Sequence, residues 1–133
     1  MISAQLLKNL KDPIKEIKTI REGILTELIE DFLKEQSIPI KDILQSLQIP
    51  KSTYFSKKRS HTRLDSSSTE KFLRLISVMK MSEEILGKNQ SKEWLYKKIP
   101  SLGEQIPMDL LDTEAGHRLV EQVLLQIKYG IYS

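Results

Sequence analysis

Apolar residues recur at spacings of three and four along nearly the whole chain, and no stretch alternates cleanly between apolar and polar positions. That periodicity marks amphipathic helices rather than strands and predicts an all-α protein. Ile2, Leu6, Leu7 and Leu10 give a first short helix its apolar side. Asp12-Pro13 breaks it, and Pro13 suits the first position of a new turn, where its missing N–H is not needed. The stretch from Ile14 to Ile20 is ambiguous because β-branched residues dominate it. From Glu22 the pattern is clear. Ile24, Leu25, Leu28, Ile29, Phe32 and Leu33 line one helix face, with Glu27, Glu30, Asp31 and Lys34 on the other.

Pro39 opens a short helix whose inward residues are Ile40, Ile43, Leu44 and Leu47. Gln48-Ile49-Pro50 turns the chain, and Pro50 prepares the next helix, with Ser52, Thr53, Tyr54 and Phe55 in its first turns. A loop follows from Arg59 to Asp65. Ser67 and Glu70 have the spacing of a capping box. The long helix they open carries Phe72, Leu73, Ile76, Met79 and Val78 or Met81, and runs towards Leu86. Gly87-Lys88-Asn89-Gln90 is a stop signal, which sets the expected boundary between a region of residues 1–87 and one of residues 88–133. Beyond it, a helix with Trp94, Leu95 and Ile99 is ended by Pro100. After a turn region, Leu110-Leu111 forms an apolar anchor. Asp112 or Thr113 then caps a final helix lined by Leu119, Val120, Val123, Leu124 and Ile127. Glu114 favours that helix's positive end.

Composition narrows the function. A chain of 133 residues makes one domain or two small ones sharing a core. Cysteine is absent, which excludes disulfides and thiol chemistry. The apolar runs are too short to span a membrane, and the first residues lack a signal peptide's apolar core, so the expected location is cytoplasmic. Only His61 and His117 are present, and there is no glycine-rich phosphate loop and no metal-ligand spacing. The expectation is a binding protein, not an enzyme, with no cofactor and no metal.

Two short helices joined by a tight turn, the second of them basic, suggest a helix-turn-helix. Between Lys51 and Arg63 the charged residues are Lys51, Lys57, Lys58, Arg59 and Arg63, with no acid among them. Each phosphate that such cations neutralise releases condensed counterions, which drives association with DNA. Lys51, Ser52, Thr53 and Tyr54 occupy the N-terminal end that usually meets bases and phosphates, and Lys57, Lys58 and Arg59 lie along or beyond the backbone. The plainer alternative is a solvated basic face on an ordinary helix pair. The turn carries Gln48 where glycine is usual. A left-handed conformation there costs about 1 kcal/mol, so a looser turn is expected.

The last third reads Trp94-Leu95, Leu102-Gly103, Pro107-Met108-Asp109-Leu110-Leu111, Thr113 with Gly116, and Val123 to Gly130. Together with Leu64, Leu73-Arg74-Leu75 and Ile85-Leu86-Gly87, this spacing resembles the antitoxins of the Xre/MbcA/ParS group, over about Arg21 to Tyr132. The sequence departs from that family where a Pro-Asn pair is often found, having Ile99-Pro100-Ser101, and where a second glycine often follows Leu-Gly, having Glu104. The resemblance implies an N-terminal helix-turn-helix-like bundle followed by a small helical toxin-binding domain. It implies an antitoxin that dimerises, binds its operator DNA and occludes the active site of a cognate RES-domain toxin. Such toxins consume NAD or transfer ADP-ribose, so that chemistry would belong to the partner.

The residues expected to meet the toxin are Met108, Asp109, Asp112, Thr113, His117, Tyr129, Tyr132 and Ser133. Exposed aromatics offer large contact area for few rotors. Plainer roles stand beside these. Trp94 and Leu110-Leu111 read as core, Asp109 and Asp112 as helix caps, His117 as a surface histidine and Gly116 as a close-packing position. Arg74 reads as half of an exposed ion pair. A homodimer is expected from the family and from symmetric half-sites about 34 Å apart. Ile2, Leu6, Leu7, Ile14, Ile17 and Ile20 are its expected interface. The alternative function is a stand-alone transcriptional regulator of the helix-turn-helix type, without a toxin partner.

Overall fold

Prolines, glycines and short polar side chains set most helix ends in the computed structural model, which describes residues 4–130. The helices are α1 (Ala4–Lys11), α2 (Pro13–Glu22), α3 (Thr26–Glu35), α4 (Ile40–Ser46), α5 (Lys51–Ser60), α6 (Ser66–Leu86), α7 (Lys88–Leu95) and α8 (Glu114–Tyr129). Two short 3-10 turns, η1 (Pro100–Leu102) and η2 (Pro107–Leu110), lie between α7 and α8. Among the described residues there is no strand, only the isolated bridges Leu25–Arg63 and Ile99–Gln105. The protein is all-α.

The chain divides into two compact units, Met1–Leu73 and Arg74–Ser133. The division falls inside α6, not at Gly87, where the sequence suggests a stop. Gly87, at φ +84°, only separates the end of α6 from the start of α7.

In the first unit, Asp12 caps α2 by accepting from Ile14 N at 3.0 Å, with Pro13 in the first turn, so the ambiguous Ile14–Ile20 stretch is helical. The next helix starts later than its periodicity suggests. Gly23 sits at φ +83°, and a Cβ there would lie 2.1 Å from Leu64 O, so only glycine fits. Ile24 is buried ahead of α3, its N–H donating to Thr69 Oγ1 (3.2 Å) and its carbonyl accepting from Leu64 N (2.9 Å). Arg63 Nη1 donates to Gly23 O at 2.9 Å. These partners come from residues 63–69, far along the chain, which is why local spacing reads Ile24 and Leu25 as helical.

The α4–α5 turn is tight, contrary to expectation. Gln48 takes φ +57°, its N–H donates to Gln45 O (3.2 Å), and Ile49 N donates to Leu44 O (2.9 Å). Those bonds satisfy the carbonyls left open at the end of α4 and offset the left-handed strain. The cap of α6 is Asp65, which accepts from Ser68 N at 3.0 Å, rather than the Ser67–Glu70 pair. Both readings have helix-start spacing, and Asp65 prevails because α6 begins at Ser66.

In the second unit, Ser82 Oγ and Ser91 Oγ share a buried hydrogen bond of 2.6 Å that ties α6 to α7. Helix α7 ends at Leu95, and Pro100 starts η1 instead of ending a helix. Both 3-10 turns pack on α8. Thr113 caps α8 by accepting from Gly116 N at 3.0 Å. Gly116 allows the closest approach in this unit: an added Cβ would lie 1.8 Å from Leu110 O. Arg74 is not an exposed ion-pairing residue. Its side chain is 10% exposed, donates to Leu111 O (3.3 Å) and Asp112 O (3.2 Å), and lies 3.9 Å from Glu114. It binds the carbonyls that lead into the α8 cap. Leu111 is fully buried, Leu110 and Trp94 are half-buried, and Leu119 is exposed, not core-facing.

Candidate functional site

Each unit presents one helix with an unusual outer face. In the first unit it is α5, whose only buried residue is Tyr54. That phenol packs edge-on against Phe55 and tilted against Phe72. Burial, and then the Glu30 carboxylate beside it, push its ionisation well above the ordinary tyrosine range. Tyr54 is therefore a core anchor and is corrected out of the expected DNA contacts, although its place in a first helical turn suggests otherwise. The other expected contacts remain reachable. Lys51, Ser52, Lys58 and Arg59 are exposed, and Thr53 and Lys57 are half-buried. No side chain caps α5 at Pro50, and the amides of its first turn have no intrahelical partners. Lys58 Nζ pairs with Glu30 at 2.7 Å, so one cation of the set is partly neutralised within the unit.

Asp65 closes the loop after α5. Burial works upward on its carboxyl, and the Ser68 hydrogen bonds outweigh it, holding the group below the ordinary carboxylate range. His61 ends α5 in a left-handed conformation at φ +54°. Two isoleucines stand out on α2: Ile14 is 74% exposed and Ile17 43%. Ile20 is half-buried. Leu6 is buried within the first unit, so it does not belong to the free apolar face expected there. Ile2 lies outside the described residues, as does the side chain of Leu7.

In the second unit, the expected toxin-facing residues separate. Met108 is fully buried and is corrected to a core residue, because η2 turns it inward between α7 and α8. Asp109 and Thr113 are exposed, and Asp112 is half-buried. Thr113 is occupied as a cap, and the Asp112 carbonyl by Arg74. His117 is not a surface histidine. Its side chain is 15% exposed and lies between two carboxylates, with Nε2 3.3 Å from Glu121 and Nδ1 3.9 Å from Glu114. Tyr129 is 64% exposed at the end of α8, with Lys128 Nζ 5.4 Å from its ring centre. Tyr132 and Ser133 lie outside the described residues.

The sequence reading misses part of the outer face of α8. Leu119 and Leu125 are 40% and 41% exposed and share that face with Tyr129. A second helical period running beside the core stripe is the signal that could have found them. In the loop before η2, Glu104 stands where the family often has a second glycine. Gly103 (φ +66°) and Glu104 (φ +62°) are both left-handed, and Glu104 N donates to Ile99 O at 3.0 Å. Among the described residues no group of His, Cys, Asp and Glu is arranged to hold a metal ion. Nor is any helix among them long and apolar enough to cross a membrane.

A family match falls within the second unit. Residues 81–130 match the family described as Antitoxin Xre/MbcA/ParS C-terminal toxin-binding domain. The chain is 28% identical over 120 residues to Antitoxin Xre of Yersinia enterocolitica, covering 88% of this chain and 80% of that protein. It is 24% identical over 131 residues to a Sphingobium protein named Prs ADP-ribosylating antitoxin, covering 91% and 82%. Antitoxin Xre of Photorhabdus laumondii is 22% identical over 116 residues, covering 86% and 78%. Residues 81–130 are thus similar to the C-terminal domain of the Xre/MbcA/ParS antitoxin family, and most of the chain is similar to proteins named antitoxins.

Proposed function

We propose that this chain is the antitoxin of a type II toxin–antitoxin pair, acting in the cytoplasm. In this reading the C-terminal domain, within residues 88–133, binds a RES-type toxin and occludes its active site. Any NAD consumption or ADP-ribosyl transfer then belongs to the toxin. The observation that carries the reading is the match of residues 81–130 to a toxin-binding domain, together with similarity along most of the chain to proteins named antitoxins. A protein inhibitor needs a rigid platform and a few anchors, not a reactive group. The Arg74 latch, the Thr113 cap and the Gly116–Leu110 contact supply that rigidity in the second unit.

The first unit, in the same proposal, reads operator DNA through α5 and so autoregulates the operon. Lys51, Ser52, Thr53, Lys57, Lys58 and Arg59 are its contacts, of which Lys58 exchanges Glu30 for a phosphate. Two copies pair through the exposed Ile14–Ile17 face of α2, matching the two half-sites of an operator.

The test is co-expression with the product of the adjacent reading frame. A stable complex, and NAD loss suppressed only when this chain is present, is the expected result. No complex and no toxic neighbour would leave the stand-alone regulator as the better reading. The DNA arm is tested by retardation of the chain's own promoter fragment across a salt series. Lys51→Ala and Arg59→Ala are each expected to weaken binding and to lower the salt slope by about 1. Binding that does not respond to salt would remove that arm.

A further inference from the structure

We infer that the outer face of α8, formed by Leu119, Leu125 and Tyr129 around Gln122 and Gln126, is the docking surface for an apolar protrusion of the toxin. This deepens the toxin-binding reading and rests on it.

Helical geometry puts positions 118, 119, 122, 125, 126 and 129 within one arc of the helix, because residues three and four apart stack on one side. The opposite arc holds Gly116, Val120, Val123 and Leu124, all buried. Helix α8 thus carries large apolar side chains on two sides, the outer one also holding Arg118, Gln122 and Gln126. One side fills the core, and the other exposes Leu119 at 40%, Leu125 at 41% and Tyr129 at 64%. Three large apolar side chains grouped on one face of one helix are more than scattered surface residues. Beside them a cleft of about 460 Å³ opens between η1 and α8, lined by Pro100, Ser101, Leu119, Gln122, Val123 and Gln126. The cleft joins the stripe through Leu119, and the two glutamines supply neutral hydrogen-bonding groups at the junction. No acidic residue lines the cleft. This is the composition of an interface centre: apolar anchors, an aromatic, uncharged polar groups and a depletion of acids.

Two observations select the occupant. The whole face lies inside residues 81–130, the segment that matches a toxin-binding domain. Its size also disfavours a second copy. The stripe from Leu119 to Tyr129 is roughly 15 Å long at 1.5 Å per residue. A symmetric pair of α8 helices would therefore bury far less than the roughly 800 Å² per partner of a stable interface. A different protein can extend its contact into the cleft beside η1.

The experiment compares the full chain with its Leu119→Arg/Leu125→Arg double variant for capture of the adjacent frame's product. Melting temperature and solution mass are recorded for both. The expected result is capture by the parent chain and at least tenfold weaker capture by the variant, at unchanged melting temperature. Leu119→Ser/Leu125→Ser serves in the same way should the arginines impair folding. Capture of equal strength by a folded variant would overturn the inference while leaving the antitoxin reading intact. A parent chain that is dimeric alone and a variant that is monomeric would assign the face to a second copy and overturn it as well. No capture by the parent chain would remove the antitoxin reading, and this inference with it.

Discussion

Helix α5 is held to the first unit by one fully buried side chain, Tyr54, while α8 buries Gly116, Val120, Val123 and Leu124 in the second. Their outer faces differ as much as their inner ones. On α5 the outward residues are mainly cations and hydroxyls; on α8 they include Leu119, Leu125 and Tyr129, beside Glu114, Arg118, Gln122 and Lys128. A lightly anchored basic helix suits a polyanion, where long-range attraction does much of the work and side chains stay hydrated. A deeply anchored helix with an apolar outer face suits a protein surface, where affinity depends on fixed, desolvated anchors. In the proposed reading one chain thus carries two kinds of recognition, each with a different sensitivity to salt and to packing.

The largest expected effect comes from removing the single anchor. Tyr54→Ala empties a fully buried aromatic site, and such truncations cost about 3–5 kcal/mol. Thermal or urea denaturation should show that loss, and promoter retardation should fall with it. A variant of near-parental stability would mean that α5 is held by more than Tyr54. Next comes Gly116→Ala. The methyl would meet Leu110 O, and overpacking of this kind costs about 1–3 kcal/mol. In the proposed reading, capture of the adjacent frame's product is expected to weaken before duplex binding does, and the reverse order would undo the proposed division of labour between the helices.

The smallest effect is at the α6 cap. Asp65→Ala is expected to cost about 1 kcal/mol. Since the Asp65 carboxyl is held below its ordinary range, its contribution is present above the unfolded value of about 3.9 and is lost as pH falls through the lower folded value. The variant's deficit measured by urea unfolding at neutral pH should therefore shrink on acidification below about pH 4. A deficit that stays constant there would mean that the cap does not act through its charge.

Punctuation made most of this fold legible. Asp12-Pro13, Pro39, Pro50, Gly87 and Thr113 mark helix ends that the structure keeps within a residue or two. What was hidden depends on distant partners. Ile24 leaves its helix because Thr69 and Leu64 hold its backbone, and Arg74 is drawn inward by two carbonyls nearly forty positions away. Tyr54 and Met108 show the limit for site residues. A polar tip in a first helical turn, or a methionine in a short turn, looks available until Phe72 or α8 covers it. The exposed leucines of α8 were hidden for the opposite reason, since an apolar residue in a helical period is read as core.

The passage of α6 through the division at Leu73–Arg74 bears on how such proteins exchange partners during evolution. A recombination at Gly87 would look safe, because it cuts between two helices. It would nevertheless separate residues 74–86, Arg74 among them, from the unit to which they belong. The crossover that keeps each unit whole lies in the middle of a helix, and there the splice must be in register. One residue gained or lost would turn every later position of α6 by about 100° relative to the earlier ones. In the proposed reading, new pairings of a DNA reader with a toxin binder are expected to preserve the length of this helix even where its sequence drifts.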